Sequence, residues 1–220
     1  MQRIIQIFIL FMFSFTANSQ DEIKSQDPLA EPYLENIARN FRTDKAYQAE
    51  FRYEIYSSVE DARVGDYGSI IVKKNMYKLK TEDTEILFNG QYLWVYNREA
   101  AEVCKSTPLE GDMDQMLADP FRLLGNYREY YKYLYKGEKK IEGLSYSEID
   151  LYPINLESGY SILRVVCRNN GENIHSISLK QKNGTEITAY ITDIIHNLSI
   201  SDALFSWDER ANPDVLVIEM

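Results

Sequence analysis

The chain has 220 residues, 45% of them hydrophobic, and its 24 basic and 34 acidic residues give a formal net charge of −10. That length suits one domain with enough chain to bury a core or to enclose a cavity. The acidic balance argues against a nucleic-acid-binding protein, because neutralising phosphates requires a basic face. A total of 17 tyrosines indicates β-structure or a surface that handles amphipathic material.

The first 19 residues are predicted to be a secretory signal peptide. Arg3 supplies the positive charge, residues 4–15 form the apolar stretch, and Ala17 and Ser19 stand at the −3 and −1 positions of a cleavage site before Gln20. An uncleaved anchor is the alternative, but the apolar stretch is shorter than the roughly 20 residues that a bilayer span needs. We therefore expect residues 20–220 to form a single exported domain.

One helix is predicted near the start of that domain, and period-two strands follow it. Asp27 and Pro28 are suited to a helix start, after which apolar residues recur at helical spacing from Leu34 to Phe41. The predicted strands cover residues 47–55, 69–73, 76–81, 85–88, 91–96, 101–105, 130–135, 145–152, 161–168, 174–180, 186–192 and 203–207. The dipeptide Asn89-Gly90 predicts a hairpin with a type I′ turn. A meander of about 11 antiparallel strands must close into a barrel or sandwich to hide its edges.

The strands are interrupted after Gly111 by a predicted pair of short helices divided at Pro120. Their apolar stripe consists of Met113, Met116, Leu117, Phe121 and Leu124. An ordinary core helix explains this stripe, but methionine also suits surfaces that adapt to variable apolar material. The stripe therefore also suggests a helix that plugs a hydrophobic cavity and is displaced by ligand.

The sequence offers no arrangement typical of an enzyme. It lacks a GxSxG motif and phosphate-binding glycine loops, and we interpret His175 and His196 as structural imidazoles rather than catalysts. Asp112 and Asp114 are better explained as a solvated helix start than as cation ligands. We expect no metal and no cofactor.

The two cysteines, Cys104 and Cys167, lie far apart in the chain and in the predicted order of strands. Export would allow a disulfide. Two independent thiols that pack as small apolar groups are the alternative that this separation favours.

Four segments resemble a known family. Residues 85–97 (EILFNGQYLWVYN) resemble the hairpin of the lipoprotein carrier LolA, and residues 68–77 (GSIIVKKNMY) resemble its preceding strand pair. Residues 119–124 (DPFRLL) resemble the segment at its lid helix, and residues 205–218 resemble its C-terminal part. The segments occur in the family's order across nearly all of the exported chain.

This resemblance implies a mainly β (α+β) fold, namely an incomplete antiparallel β-barrel with an α-helical lid over a hydrophobic cavity. It also implies a periplasmic chaperone that takes acylated lipoproteins from an inner-membrane ABC transporter and carries them to the outer membrane without chemistry. The partners would be those lipoproteins, the transporter and an outer-membrane acceptor, and we expect a monomer that binds no nucleic acid. A single-domain envelope sensor of lipids or lipoproteins on the same fold is the main alternative.

Within that framework, specific residues are assigned as hypotheses. The predicted acyl-contacting wall consists of Phe51, Tyr53, Tyr77, Leu79 and Leu93, although a register error of one residue would invert each choice. The family usually has Arg-Pro after the second strand, where the arginine holds the lid. Lys74 and Asn75 stand at the matching positions here, so the predicted latch is Lys74, which lacks the planar guanidinium fork.

Overall fold

A computed structural model describes residues 26–41, 46–107 and 124–220. The predicted signal peptide and four of the five predicted lid residues, Met113, Met116, Leu117 and Phe121, lie outside the described residues. Within them, no helix is long and apolar enough to cross a membrane.

The described chain is one large sheet with two α-helices. The helices are α1 (Glu31–Phe41) and α2 (Tyr127–Tyr130). The strands are β1 (Ala46–Ser57), β2 (Ala62–Lys73), β3 (Met76–Lys80), β4 (Thr84–Phe88), β5 (Leu93–Asn97), β6 (Glu102–Ser106), β7 (Tyr131–Ile141), β8 (Leu144–Pro153), β9 (Tyr160–Arg168), β10 (Asn173–Gln181), β11 (Thr185–Leu198) and β12 (Leu216–Glu219).

The strand order in the sheet is β12-β6-β5-β4-β3-β2-β1-β11-β10-β9-β8-β7. All neighbours pair antiparallel except β12, which runs parallel to β6. The outermost strands, β12 and β7, are not paired with each other within the described chain, so the sheet does not close into a complete barrel. This confirms the predicted fold class, in which about 11 strands were expected: 11 of the 12 predicted segments form strands, and β12 is the twelfth strand.

One predicted strand is wrong. The segment Ala203–Trp207 is not extended, because residues Asp202–Phe205 form a turn of 3-10 helix. Its start is held by the Ser201 hydroxyl, which accepts a hydrogen bond from the backbone N–H of Ala203. The strand that does follow, β12, was missed because its pairing partner β6 lies more than 100 residues away.

The predicted alternation in β1 is confirmed. Strand β1 pairs with β2 on one side and with β11 on the other, and the residues opposite Phe51 are Gly68 and Ile191. Its even-numbered residues Gln48, Arg52 and Glu54 point to the convex face, where Arg52 donates a 2.6 Å hydrogen bond to Glu54.

The hairpin at Asn89-Gly90 is confirmed, but its turn is not type I′. Four residues connect β4 to β5, and of the dipeptide only Gly90 has a positive φ (94°). The Asn89 carboxamide oxygen accepts hydrogen bonds from the N–H groups of Gln91 and Tyr92. The asparagine therefore stabilises the loop through its side chain rather than by adopting a left-handed backbone.

Helix α1 lies inside the curve of the sheet. Its apolar face, Leu34, Ile37 and Ala38, is completely buried. The helix docks on the β9–β10 turn, where the Asn36 side chain donates a 2.9 Å hydrogen bond to the carbonyl of Asn170. The segment before the helix covers the outer edge of β7, because the Tyr135 N–H donates to the Asp27 carboxylate at 3.0 Å.

Candidate functional site

The register of the strands aligns apolar side chains in rows across the concave face, because directly paired residues point to the same side of a sheet. One row crosses six strands and consists of Val95, Ile86, Leu79, Ile70, Ala49 and Ile194. A second row crosses the other half of the sheet and consists of Tyr53, Ala189, Ile177, Val165, Ile149 and Tyr135. The concave face is therefore apolar across its width.

The half of the concave face formed by β7 to β10 is filled. Its inward residues Ile149, Leu151, Leu163 and Val165 are completely buried. The Tyr33 ring of α1 stacks on Tyr135 with 5.7 Å between centroids. The filled half therefore forms a structural core.

The other half retains an incompletely buried apolar surface. Several inward residues of this half are only partly buried while packing against the core, and we call six of them the inner surface: Tyr53, Leu79, Ile86, Val95, Ala189 and Ile191. They belong to β5, β4, β3, β1 and β11. These strands are consecutive in the sheet, except that β2 lies between β3 and β1. Strand β2 contributes Gly68 opposite Phe51, and a Cβ at this glycine would lie 2.7 Å from the Phe51 ring. The Phe51 ring thus packs over the glycine and continues the apolar layer.

All five predicted wall residues lie on the concave side. Tyr53 and Leu79 belong to the inner surface, whereas Phe51, Tyr77 and Leu93 are buried in the core beside it. Their contact with a ligand remains a prediction. Four members of the inner surface, Ile86, Val95, Ala189 and Ile191, were not predicted. The pairing of Leu79 with Ile86, and of Ile86 with Val95, would have identified two of them, because hairpin partners share a face.

Acidic groups lie at one margin of the inner surface. The pKa of the Tyr53 hydroxyl is raised, first because burial disfavours its charged form and then because Asp66, Asp83 and Glu82 are close. A hydrogen bond with Asp66 raises the pKa of Glu82. In the described part of the chain no three His, Cys, Asp or Glu residues come together as a metal site.

The convex face differs from the concave one. Its largest ion-pair group lies on β8 and β9, where the Arg164 guanidinium donates to both oxygens of the buried Asp150 carboxylate at 2.6 and 2.9 Å. These bonds raise the pKa of Arg164. A small apolar cluster around Leu87, Trp94 and Val103 is covered by the C-terminal segment, including Trp207. The convex face is therefore covered by ion pairs and by the C-terminal segment of the chain.

Both histidines pack against aromatic rings. His175 lies between the rings of Tyr146 and Tyr190, with centroids 5.0 and 5.9 Å away. His196 lies against Phe41, at 5.8 Å. Loss of hydration beside these rings lowers the pKa of both imidazoles.

The two cysteines are separate thiols rather than a disulfide. Cys104 lies on β6 and is partly buried, whereas Cys167 lies in the core on β9, on the far side of β1 in the sheet order. Burial raises the pKa of Cys167 to about 12, which keeps it as an unreactive thiol.

A thiol-specific chromogenic reagent at pH 8 is therefore expected to modify about one cysteine per native chain and both after denaturation. The Cys104→Ser variant should lose the native reaction, whereas Cys167→Ser should keep it. Rapid reaction of both thiols in the native protein would contradict the burial of Cys167.

The predicted latch residue, Lys74, lies at the β2–β3 turn beside a lysine that binds the C-terminal segment. Lys74 is exposed at the β2–β3 turn with a φ of 58°. Lys73 donates to the carbonyl of Ile200 at 2.6 Å and to the carboxylate of Asp202 at 2.7 Å. These bonds hold the C-terminal segment against β2. The lid role of Lys74 stays a prediction, because residues 108–123 lie outside the described residues. The last lid residue, Leu124, is completely buried in the core.

The comparison with protein families identifies this architecture. The family model described as outer membrane lipoprotein carrier protein LolA matches residues 75–208, more than half of the chain. The chain belongs to the LolA family. Family membership supports a role in binding lipids or lipoproteins. The LolA-like fold is a binding and carrier fold that is not known as enzymatic.

Several solved structures are similar to the chain, and the first described here supports the fold. An uncharacterized conserved protein from Thermus thermophilus is similar with a TM-score of 0.53 and 8% identity, over 87% of this chain and 99% of that one. A DUF1329 family protein from Desulfovibrio piger has a TM-score of 0.47 and 15% identity, over 82% and 98% of the two chains. A LolA superfamily protein from Nitrosomonas europaea has a TM-score of 0.42 and 14% identity, over 81% and 98%. No curated protein matches the chain in sequence.

Proposed function

We propose that this LolA family protein is a periplasmic chaperone that binds the acyl chains of lipoproteins and carries them from the inner to the outer membrane. The observation that carries the proposal is the inner surface. It is a layer of partly buried apolar side chains inside a curved sheet, packed against the core into which α1 is buried. The ligand class that such a layer fits is the hydrocarbon chain, which needs apolar contact and no directional bonds.

The energetics support a carrier rather than free diffusion of the cargo. Transferring one acyl chain of roughly 15 methylenes from water to an apolar site gains about 12 kcal/mol, at ~0.8 kcal/mol per group. A lipoprotein with several chains therefore needs a shelter to cross an aqueous compartment. Release then requires an acceptor that offers a comparable apolar environment.

Site-specific photo-crosslinking tests the proposal. A photoreactive residue at Leu79, on the inner surface, is expected to form adducts with acylated lipoproteins in cells. The matched position is Lys78, one residue away on the convex face, where its ammonium pairs with Glu85 at 2.7 Å. Adducts at position 78 without adducts at position 79 would overturn the assignment of the concave face.

The same adducts separate a carrier from an envelope sensor. A carrier releases its cross-linkable lipoprotein when acceptor outer membranes are added, so the adduct yield at position 79 falls with time. A sensor retains the lipoprotein under those conditions. Mass spectrometry of the adducts identifies the cargo.

A further inference from the structure

Three connections lie at the same end of the barrel, and together we call them the rim. They are residues 58–61 between β1 and β2, residues 154–159 between β8 and β9, and residues 182–184 between β10 and β11. The register places them together, because Ser57 is paired with Thr185 and Gln181 with Tyr160.

Hydrogen bonds connect these three segments. The N–H of Ser58 donates to the carbonyl of Gly184 at 3.4 Å, and the N–H of Lys182 donates to the carbonyl of Gly159 at 3.0 Å. The Lys182 ammonium also donates to the carbonyl of Leu156. The rim is therefore one connected edge rather than three independent loops.

This edge carries aliphatic side chains directed into water. Val59 and Leu156 are each 83% exposed, and Ile154 is 50% exposed. They stand on protruding turns rather than in a groove. Protruding aliphatic groups on a connected edge suit insertion into a soft apolar phase better than docking into a rigid protein partner.

An apolar path leads from the rim into the inner surface. Val64 points to the concave side at the end of β2 and is 64% exposed, because β3 pairs only with the other end of that strand. Val64 is paired with Ile55, and Ile55 with Ile187 on β11. The next inward residue along β1 is Tyr53, a member of the inner surface.

The charge of the rim indicates which bilayer it fits. Its segments contain three carboxylates, Glu60, Asp61 and Glu157, and one cation, Lys182. Binding to anionic lipids relies on clusters of lysine and arginine, and the rim has the opposite balance. Its aliphatic groups therefore suit a zwitterionic surface, where charge neither attracts nor repels them.

We propose that the rim docks on a zwitterionic phospholipid bilayer by inserting Val59, Leu156 and Ile154, so that acyl chains pass between that bilayer and the inner surface along Val64 and Ile55. This inference rests on the proposed carrier function and adds the membrane as a direct partner. The insertion is shallow, because only the tips of two connections contribute.

Vesicle flotation tests the proposal with the purified protein and phosphatidylcholine–phosphatidylethanolamine vesicles. The test variant is Val59→Asp/Leu156→Asp. The matched control is Ile195→Asp/Met220→Asp, which changes two exposed apolar residues at the other end of the barrel. Circular dichroism and thermal unfolding verify that both variants fold.

The wild type and the control are expected to float with the vesicles. The test variant should lose about tenfold or more in apparent affinity, since two aliphatic groups no longer insert. Replacing part of the lipid with phosphatidylglycerol at low salt should weaken wild-type binding. Three results would overturn the proposal: no wild-type flotation, a test variant that binds like the wild type, or stronger binding to the anionic vesicles.

Binding of a fluorescent fatty-acyl probe in vesicle-free solution separates this inference from the carrier function. The test variant should bind the probe like the wild type, because Val59 and Leu156 lie outside the inner surface. Absence of probe binding in the wild type would contradict the carrier function, whatever the flotation result.

Discussion

Leu79→Asp is expected to weaken binding of a fluorescent fatty-acyl probe by about 100-fold or more. Leu79 lies in the middle of the inner surface, between Ile70 on β2 and Ile86 on β4. The substitution removes an aliphatic contact of about 2 kcal/mol. It also places a carboxylate against hydrocarbon, where its loss of hydration costs several kcal/mol more once a chain is bound.

The control for this prediction is Lys80→Asp. It introduces the same carboxylate one residue along β3, on an exposed position that points to the convex face. We expect it to leave probe binding within about twofold of the wild type. Equal losses in both variants would mean that charge alone matters, and no loss in either would remove the inner surface as the acyl site. Fluorescence titration supplies the affinities, and circular dichroism verifies folding.

Gly171→Ala adds only one methyl group, but we expect it to destabilise the protein strongly. Gly171 has a φ of 91°, and a Cβ there would lie 2.5 Å from the carbonyl oxygen of Tyr33 and 3.0 Å from Ile37. Both contacts belong to α1, and a backbone oxygen cannot move aside without shifting the helix. We expect a loss of about 3 kcal/mol or more in the free energy of unfolding, because backbone strain adds to displacement of a buried helix.

Gly137→Ala provides a matched control. Gly137 has a similar positive φ of 113°, but a Cβ there would meet no atom within 4 Å. It therefore measures backbone strain alone, for which about 1–2 kcal/mol is expected. Urea unfolding of both variants gives the difference between them, which is the part due to the docking of α1. Equal destabilisation would show that α1 does not depend on close contact with the β9–β10 turn.

The local features of the fold were predictable because their causes are local. Alternation from Tyr47 to Ile55 identifies the concave face of β1, since successive side chains of a strand point to opposite sides. Leu79 and Leu93, also assigned to the wall, lie on the same concave face. Helix α1 was predicted from the spacing of Leu34, Ile37 and Phe41.

Features that depend on distant segments were missed or misinterpreted. The apolar residues around Phe205 were predicted to form a strand, yet a hydrogen bond from Lys73 to Ile200, 127 residues apart, holds the chain before them in another conformation. The early part of β2, before Ser69, was missed because Gly65 and Gly68 weaken its pattern. Glycine fits at position 68 because the Phe51 ring occupies the space that a side chain would need.

The sequence by itself determined the class of the protein: a meander of alternating strands, one amphipathic helix near its start, and no catalytic constellation. It also carried enough family resemblance to predict an open barrel that handles lipid. Only the tertiary structure decided which part of the concave face is filled. Helix α1 reaches the β9–β10 turn 134 residues away through Asn36 and buries its apolar face in the core, whereas Leu79 and Ile86, which pack against that core, are only partly buried. Periodicity assigns a residue to a face, but its burial depends on what packs against that face, and that partner comes from a distant part of the chain.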